Sequence, residues 1–198
     1  MCEDMTKPKS AIKPSHPEQR PWKVLERRYL DRAPWHTVRA DKVQLPTGAI
    51  VPDWYVFEFL DWVEILAITR EGKFVIISQY RHGLGETRYE LPAGSCDEGE
   101  TPLESAKREL FEETGYGGGR WELLMTKSPN PSNHNNHTHS FLALDVERID
   151  VPHNEASEDI RVHLLSREEV LALMLDDEIQ QSMHAAALWK YMYLTEKR

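Results

Sequence analysis

Three glutamates stand close together in the sequence RELFEE at positions 108–113, and their spacing is that of one helix face. At about 100° per residue, Glu109, Glu112 and Glu113 fall within about 100° of arc. Like charges this close repel one another, so a cation should offset them. Arg108 is one candidate and a divalent metal ion is another. Carboxylate oxygens with no sulfur or imidazole beside them favour Mg²⁺ or Mn²⁺ over zinc. The alternative interpretation is an acidic helix face that only meets water.

The helix that must carry these glutamates has its ends marked in the sequence. Thr101 and Glu104 have the spacing of a capping box, and the intervening proline suits the first helical position. Gly115 follows the last helical residue, where a left-handed C-cap favours glycine. The sequence therefore predicts a helix over Pro102–Thr114. Its apolar stripe, which should press the helix onto a sheet, consists of Leu103, Ala106 and Leu110.

The whole segment from Gly94 to Tyr116 resembles the Nudix box, G-x5-E-x7-R-E-U-x-E-E-x-G-U with U apolar, and matches it at every specified position. The resemblance implies the Nudix fold, an α/β/α sandwich around a mixed β-sheet. It also implies a hydrolase of compounds in which a nucleoside diphosphate is linked to another group. In such enzymes water attacks a phosphorus of the pyrophosphate, and bound Mg²⁺ offsets the charge of the phosphates.

The resemblance further implies roles for single residues of this sequence. Glu109 and Glu113 correspond to metal ligands, and the carbonyl of Ala93 often joins them in this family. Glu112 corresponds either to a third metal ligand or to a base that orients the attacking water. Arg108 would brace the loop and orient the carboxylates.

Two features outside the box resemble the branch of the family that acts on ADP-ribose and nucleoside diphosphate sugars. The first is QYR at 79–81 followed by ELPAG at 90–94, so Arg81 and Glu90 are predicted to bind substrate. A surface charge at a strand end is the alternative interpretation of Arg81. The second is the acidic loop around 155–160, where that branch supplies a general base or an extra metal ligand. Glu158 is the first candidate and Glu155 the second, with ordinary loop acidity as the alternative.

Other residues bear on specificity. The ADP-ribose subgroup usually has a Ser-Pro-Gly segment after the box, whereas this sequence has SPN at 128–130. A different sugar nucleotide, such as GDP-mannose, or a broad specificity is therefore as well supported as ADP-ribose. Trp35 is a candidate to stack on the nucleobase, with a core or dimer contact as the alternative. His134, His137 and His139 invite a zinc interpretation, but the absence of a nearby fourth ligand favours polar loop residues.

The composition excludes several classes of protein. The chain has 198 residues, 40% of them apolar, which suits one folded domain with an appendage. Its net charge of −9 argues against bulk nucleic-acid binding, which needs clustered Lys and Arg. No apolar run reaches the length of about 18 residues typical of a membrane helix. With two cysteines and no apolar signal segment, a cytoplasmic location is expected.

The order of the predicted elements indicates an α+β fold with an N-terminal β-rich extension. We expect a flexible tail over 1–20, strands over 21–60 that contribute to a homodimer, as in the resembled branch, and a Nudix hydrolase domain over 61–198. The predicted strands cover 22–29, 37–44, 54–60, 62–69, 74–80, 121–126, 140–146 and 160–165. The predicted helices cover 102–114, 167–175 and 178–194.

The sequence thus predicts Mg²⁺-dependent hydrolysis of the pyrophosphate of a nucleoside diphosphate sugar, yielding a nucleoside monophosphate and a sugar phosphate. Alternative substrates are NADH, a CoA derivative or a damaged deoxynucleoside triphosphate. An alternative of a different class is a Nudix-fold module that senses such a ligand without cleaving it. Sensors of this kind generally lose carboxylates of the box, and this sequence retains all of them.

Overall fold

The strands of the chain form two separate sheets in a computed structural model that describes residues 20–33, 36–153 and 159–196. The chain divides into two compact units. The first contains the chain up to Phe59 together with Asn130–Asn135 and the residues from Met192 onward. The second contains Leu60–Pro129 and Asn136–Tyr191. The predicted tail lies outside the described residues except for Arg20.

The first unit is built on an antiparallel three-stranded sheet. Its strands are β1 (Lys23–Ala33), β2 (His36–Gln44) and β3 (Ile50–Glu58), in that spatial order. A turn closed by the Gly48 N–H on the Leu45 carbonyl joins β2 to β3. This turn pairs Ile50 with Gln44. For this reason β3 begins at Ile50, four residues before the predicted start at Trp54.

The second unit contains an eight-stranded mixed sheet and the three helices, except for the end of the last helix from Met192 onward. Its elements, in chain order, are β4 (Trp62–Thr69), β5 (Phe74–Arg81), β6 (Glu86–Glu90), β7 (Ala93–Ser95), α1 (Pro102–Thr114), β8 (Tyr116–Gly117), β9 (Arg120–Lys127), β10 (Thr138–Arg148), β11 (Arg161–Leu165), α2 (Arg167–Leu175) and α3 (Ser182–Leu194). The central order is β11-β5-β4-β10-β8, with β6 paired to β5, β7 to β4 and β9 to β10. The β4–β10 pair is parallel and the other pairs are antiparallel, so the predicted α+β fold with a mixed sheet is confirmed.

The core of this unit explains how α1 is fixed on the sheet. The apolar runs of β4 and β5 are buried almost throughout, as expected of strands covered on both faces. Ala106 and Leu110 of α1 are fully buried in the same cluster as Val63 and Ile65 of β4. Burying a side chain of the size of Leu110, Val63 or Ile65 contributes about 1.5–3 kcal/mol. Packing through this stripe leaves the glutamates of α1 at the edge of its buried face.

The helix ends follow the predicted signals, with one exception. Both parts of the Thr101–Glu104 capping box form, and Gly115 closes α1 with φ 73° and an N–H donated to the Phe111 carbonyl. The helix α3 begins at Ser182 rather than at the predicted Glu178, because the Glu178 N–H is bonded to the Leu173 carbonyl at the end of α2. No helix among the described residues is long and apolar enough to span a membrane.

Candidate active site

The carboxylates of α1 are held at different depths. Glu109 and Glu113 are buried, with 9% and 3% exposure, whereas the Glu112 side chain is 41% exposed. Glu109 lies directly against Gly94, where an added Cβ would come 2.1 Å from the Glu109 carboxyl carbon. The glycine at this position is therefore required by the close approach of the carboxylate to the backbone.

The loop before the helix is tied to the same carboxylates. The Ala93 N–H donates to Oε2 of Glu113 at 3.0 Å. Ala93 belongs to β7, which pairs with β4 so that Ala93 faces Glu64 in the register. The structure thus brings Ala93 and Glu113 into contact through the Ala93 N–H and the short strand β7, neither of which the sequence predicted, while the role of the Ala93 carbonyl as a metal ligand stays a prediction.

Arg108 supplies the positive charge among these groups. Its Nη1 donates to Glu109 at 2.8 Å and to Glu112 at 3.0 Å. Its Nε and Nη2 donate to Glu100, and Nη2 also donates to the Ser95 carbonyl at 3.1 Å. Burial opposes the charged form, but the hydrogen bonds to Glu100 and the charge of Glu109 outweigh it and raise the pKa of Arg108 above its usual value. The guanidinium therefore holds the carboxylates in fixed orientations.

The donor set of this region suits a hard divalent cation. Carboxylate oxygens of Glu109, Glu112 and Glu113 and the carbonyl of Ala93 are ligands that Mg²⁺ and Mn²⁺ accept. The described residues contain no group of three or more His, Cys, Asp or Glu arranged to hold a metal ion. Nη1 of Arg108 bridges two of these groups, Glu109 and Glu112.

The predicted substrate-binding residues Arg81 and Glu90 form a two-pronged ion pair. Arg81 Nε donates to Glu90 Oε1 at 2.8 Å, and Nη2 donates to Oε2. Glu90 is 3% exposed and the Arg81 side chain is 35% exposed. A fork of this kind fixes the plane of a guanidinium, which is how arginine recognises phosphate and carboxylate groups.

Three of the predicted site residues lie outside the described part of the chain. They are Trp35, Glu155 and Glu158. Their assignments to base stacking and to general-base chemistry remain predictions.

The histidines that suggested zinc have other contacts. His134 packs against the rings of Phe57 and Phe59 in the first unit. In the second unit, His139 Nε2 lies 3.0 Å from Asp61 Oδ2, and the His137 N–H donates to Asp61 Oδ1. Burial raises the pKa of Asp61, but these hydrogen bonds outweigh it and lower the pKa. Within the described residues the three histidines thus serve ring packing and the orientation of Asp61.

Comparison with known proteins identifies the family. Residues 61–186 match the NUDIX domain, and residues 22–57 match the nucleoside diphosphate sugar hydrolase N-terminal domain. The chain belongs to the Nudix family.

Individual relatives of this Nudix hydrolase carry different names. It is 33% identical over 136 residues to an ADP-ribose pyrophosphatase of Bacillus subtilis (strain 168), covering 68% of this chain and 72% of that protein. It is 32% identical over 163 residues to a methanol dehydrogenase activator of Bacillus methanolicus, covering 80% and 85%. The crystal structure of an ADP compounds hydrolase shares the fold, with a TM-score of 0.77 at 21% identity over 90% of this chain and 96% of that one.

The Nudix domain also contains a buried polar group that was not predicted. Glu64, Lys127, Ser140 and His184 meet in its interior, contributed by β4, β9, β10 and α3. The signal was present in the sequence, because Glu64 is the one charged residue of the run WVEILAIT. A charge in a strand that is covered on both faces needs a buried partner. The sequence alone did not identify that partner.

Proposed function

We propose that the chain hydrolyses the pyrophosphate of a nucleoside diphosphate sugar, such as ADP-ribose or GDP-mannose, to a nucleoside monophosphate and a sugar phosphate. The observation that carries the proposal is the contact set of the box, in which Glu113 binds the Ala93 N–H and Glu109 packs on Gly94. The match of residues 22–57 to the N-terminal domain of nucleoside diphosphate sugar hydrolases supports the substrate class, as does the relative named ADP-ribose pyrophosphatase.

A divalent cation would be held by Glu109, Glu112, Glu113 and the carbonyl of Ala93. When bound, Mg²⁺ or Mn²⁺ supplies positive charge that offsets the phosphates and the charge developing on them. Arg108 keeps the carboxylates oriented through its bonds to Glu109 and Glu112. An acidic protein gains affinity for an anionic substrate from such a locally positive site.

The chain's own residues would then bind the substrate and move a proton. Arg81, whose guanidinium plane Glu90 fixes, would contact a phosphate of the substrate. Water attacks one phosphorus, the anhydride P–O bond breaks, and the leaving phosphate oxygen keeps the electron pair. A carboxylate takes the proton of the water. Glu158, Glu155 and Glu112 are the candidates for this base.

The test is product release from ADP-ribose, GDP-mannose, other nucleotide sugars, NADH, a CoA derivative and dATP, each with Mg²⁺, with Mn²⁺ and with EDTA. We expect chelator-sensitive cleavage of a nucleotide sugar to a monophosphate.

Glu113→Gln should keep the fold and lower kcat by about 100-fold or more, since a charged metal ligand contributes several kcal/mol to stabilising the transition state. If compounds of this panel bind but none is cleaved, the chain senses a ligand and does not hydrolyse it.

The base can be assigned by comparing two variants. Glu158→Gln should lower kcat more than it changes KM, because a base acts in the transition state. Glu155→Gln tests the second candidate, with the same change of charge three residues away. A loss confined to the Glu155 variant would assign the base to Glu155 instead.

We also propose that the strands of residues 21–60 contribute to a homodimer, whereas residues 61–198 form the hydrolase domain. The support lies in β1, an edge strand of its sheet with a series of large exposed apolar side chains. They are Val24, Leu25, Tyr29 and Leu30. An apolar edge strand that is left exposed is a template for pairing with another chain. A cytoplasmic location suits the free thiol of Cys96 and can be checked by cell fractionation.

A further inference from the structure

A second set of charged groups, besides the carboxylates of α1, lies in the interior of the Nudix domain. Lys127 Nζ donates to Glu64 Oε1 at 2.6 Å, and the Ser140 hydroxyl donates to the same oxygen at 2.7 Å. Glu64 and Ser140 have 0% exposure and His184 has 1%. Burying such groups costs several kcal/mol unless they are paired, so a group of this kind calls for a functional explanation.

His184 connects this group to the backbone of the candidate active site. Its Nδ1 accepts a hydrogen bond from the Leu91 N–H at 3.3 Å. An imidazole nitrogen that accepts carries no proton, so the proton of the neutral ring is on Nε2. Burial, followed by the positive charges of Arg81 and Lys127, lowers the pKa of His184 to about 3, which is consistent with a neutral ring.

The protonated nitrogen of His184 faces Glu64. Nε2 lies 3.6 Å from Glu64 Oε2, and neither atom has another hydrogen-bond partner among the described residues. A movement of a few tenths of an ångström would close this contact into a hydrogen bond. Glu64, fixed by Lys127 and Ser140, is thus the acceptor that this nitrogen faces.

Leu91 lies between the two contacts that define the site. The preceding residue is Glu90, which holds the Arg81 guanidinium. Two residues further on is Ala93, whose N–H donates to Glu113. On the other side of this segment, the Pro92 carbonyl accepts from the Ile65 N–H of β4 at 2.8 Å. His184 and β4 thus fix the backbone between Glu90 and Ala93 from two directions.

We propose that His184 is a positioning residue for the hydrolysis. Its neutral imidazole, oriented by Glu64, holds the Leu91 N–H and through it the segment that carries Glu90 and Ala93. This inference rests on the proposed function for its kinetic consequence. Its structural part, the hydrogen bond to Leu91, can be tested separately.

Three replacements of His184 distinguish the contact of Nδ1 with Leu91 from the contact of Nε2 with Glu64. His184→Asn puts an amide oxygen near the position of Nδ1 and keeps an acceptor for Leu91. His184→Gln puts a donor near the position of Nε2 and keeps the contact with Glu64. His184→Leu removes both. We expect kcat to stay within about 3-fold for the Asn variant and to fall about 10- to 100-fold for the other two, the range typical of groups that orient ligands.

A neighbouring variant serves as the control for a general loss of packing. Thr138 is fully buried, and its hydroxyl donates to the sulfur of Met183, the residue before His184. Thr138→Val removes this hydrogen bond without touching Leu91. Its melting temperature should fall while its kcat stays within about 3-fold of the parent.

Amide exchange supplies a measurement that does not depend on catalysis. The Leu91 amide should be protected in the parent and in His184→Asn and should exchange about 10-fold faster or more in His184→Gln and His184→Leu. If the parent cleaves no nucleotide sugar, the proposed function fails while this exchange pattern still decides the role of His184. Folded Gln and Leu variants with parental kcat and parental protection would overturn the inference. So would an Asn variant as impaired as the Leu variant.

Discussion

At the scale of single residues, the position of Glu109 depends on the missing side chain of Gly94. Gly94→Ala would bring a Cβ to 2.1 Å from the Glu109 carboxyl carbon and from one of its oxygens. The carboxylate must then move by about 1 Å, and a displacement of that size can lower kcat by about 100-fold. Steady-state kinetics with Mg²⁺, together with a melting curve, will measure both effects.

Gly83→Ala is the matched control for this replacement. A Cβ at Gly83 meets nothing within 4 Å, and this glycine has no left-handed backbone conformation. We expect its kcat and its free energy of unfolding to stay near those of the parent, within about 0.5 kcal/mol for the latter. If Gly94→Ala has the same kcat as Gly83→Ala, the activity does not depend on the position that Glu109 occupies in this structure.

Residues related by local spacing could be predicted, whereas residues that meet through the fold could not. Glu109 and Glu113 are one helical turn apart, so the sequence predicted that they share a face with Glu112, and it offered Arg108 as a candidate to offset their charge. The partners Glu64 and His184 are 120 positions apart by their numbers, and only the pairing of β4 and the docking of α3 bring them together. Long-range pairs of this kind leave no periodic signal in a single sequence.

At the scale of elements, the C-terminus of α1 depends on Gly115 for two separate reasons. Its φ of 73° is left-handed, which costs another residue about 1–2 kcal/mol. In addition, an added Cβ would come 2.2 Å from the Asp150 carbonyl oxygen. Gly115→Ala should therefore lower the free energy of unfolding by more than the conformational cost alone, and urea denaturation will measure the difference.

Gly72→Ala isolates the conformational part of that cost. Gly72 has a φ of 77°, close to that of Gly115, but a Cβ there meets nothing within 4 Å. We expect Gly115→Ala to be less stable than Gly72→Ala by at least about 1 kcal/mol, as is typical of overpacking. Equal losses would show that the segment at Asp150 moves aside without cost.

Long elements with complete signals were predicted closely, and short ones were not predicted. The bounds of β4, α1 and α2 agree with the prediction, because apolar runs and capping boxes mark their ends. The strands β6, β7 and β8 were missed. Two or three residues, as in β8 and β7, are too few to show a periodic pattern, and their pairing with β10 and β4 is what makes them strands. The contact between the Ala93 N–H and Glu113 depends on β7 and was therefore not predicted.

At the scale of the whole molecule, stability should respond to pH through His184. Its pKa is lowered to about 3 in the folded chain, against about 6.5 when unfolded. Below pH 6.5 the unfolded chain binds a proton that the folded chain does not, so this stability is complete above pH 6.5 and is lost as the pH falls toward 3. From pH 7.5 to pH 5.0 the loss is about 2 kcal/mol.

Urea denaturation of His184→Asn at both pH values will isolate this contribution. The variant lacks the titrating group, so its stability should fall about 2 kcal/mol less than that of the parent between pH 7.5 and pH 5.0. Carboxylates whose pKa is lowered, such as Asp61, contribute equally to both proteins. His82→Asn, at an exposed position, controls for the removal of a histidine as such. Parallel pH profiles of the parent and His184→Asn would mean that folding does not lower the pKa of His184.

The last prediction for the whole molecule concerns the homodimer that we propose to form through the sheet of the first unit. Leu25 and Leu30 of the edge strand β1 are 40% and 46% exposed, so a second copy that covers this strand would bury both. Light scattering after gel filtration should give twice the 23.0 kDa mass of the chain. Leu30→Asp should shift the protein to a monomer, since an unpaired carboxylate at an apolar interface costs several kcal/mol.

Leu175→Asp is the control for this replacement, because Leu175 is 64% exposed at the end of α2. A parent that elutes as a monomer at the concentrations used for kinetics would show that β1 is not a dimer interface, and a dimer that survives Leu30→Asp would move the interface to another surface.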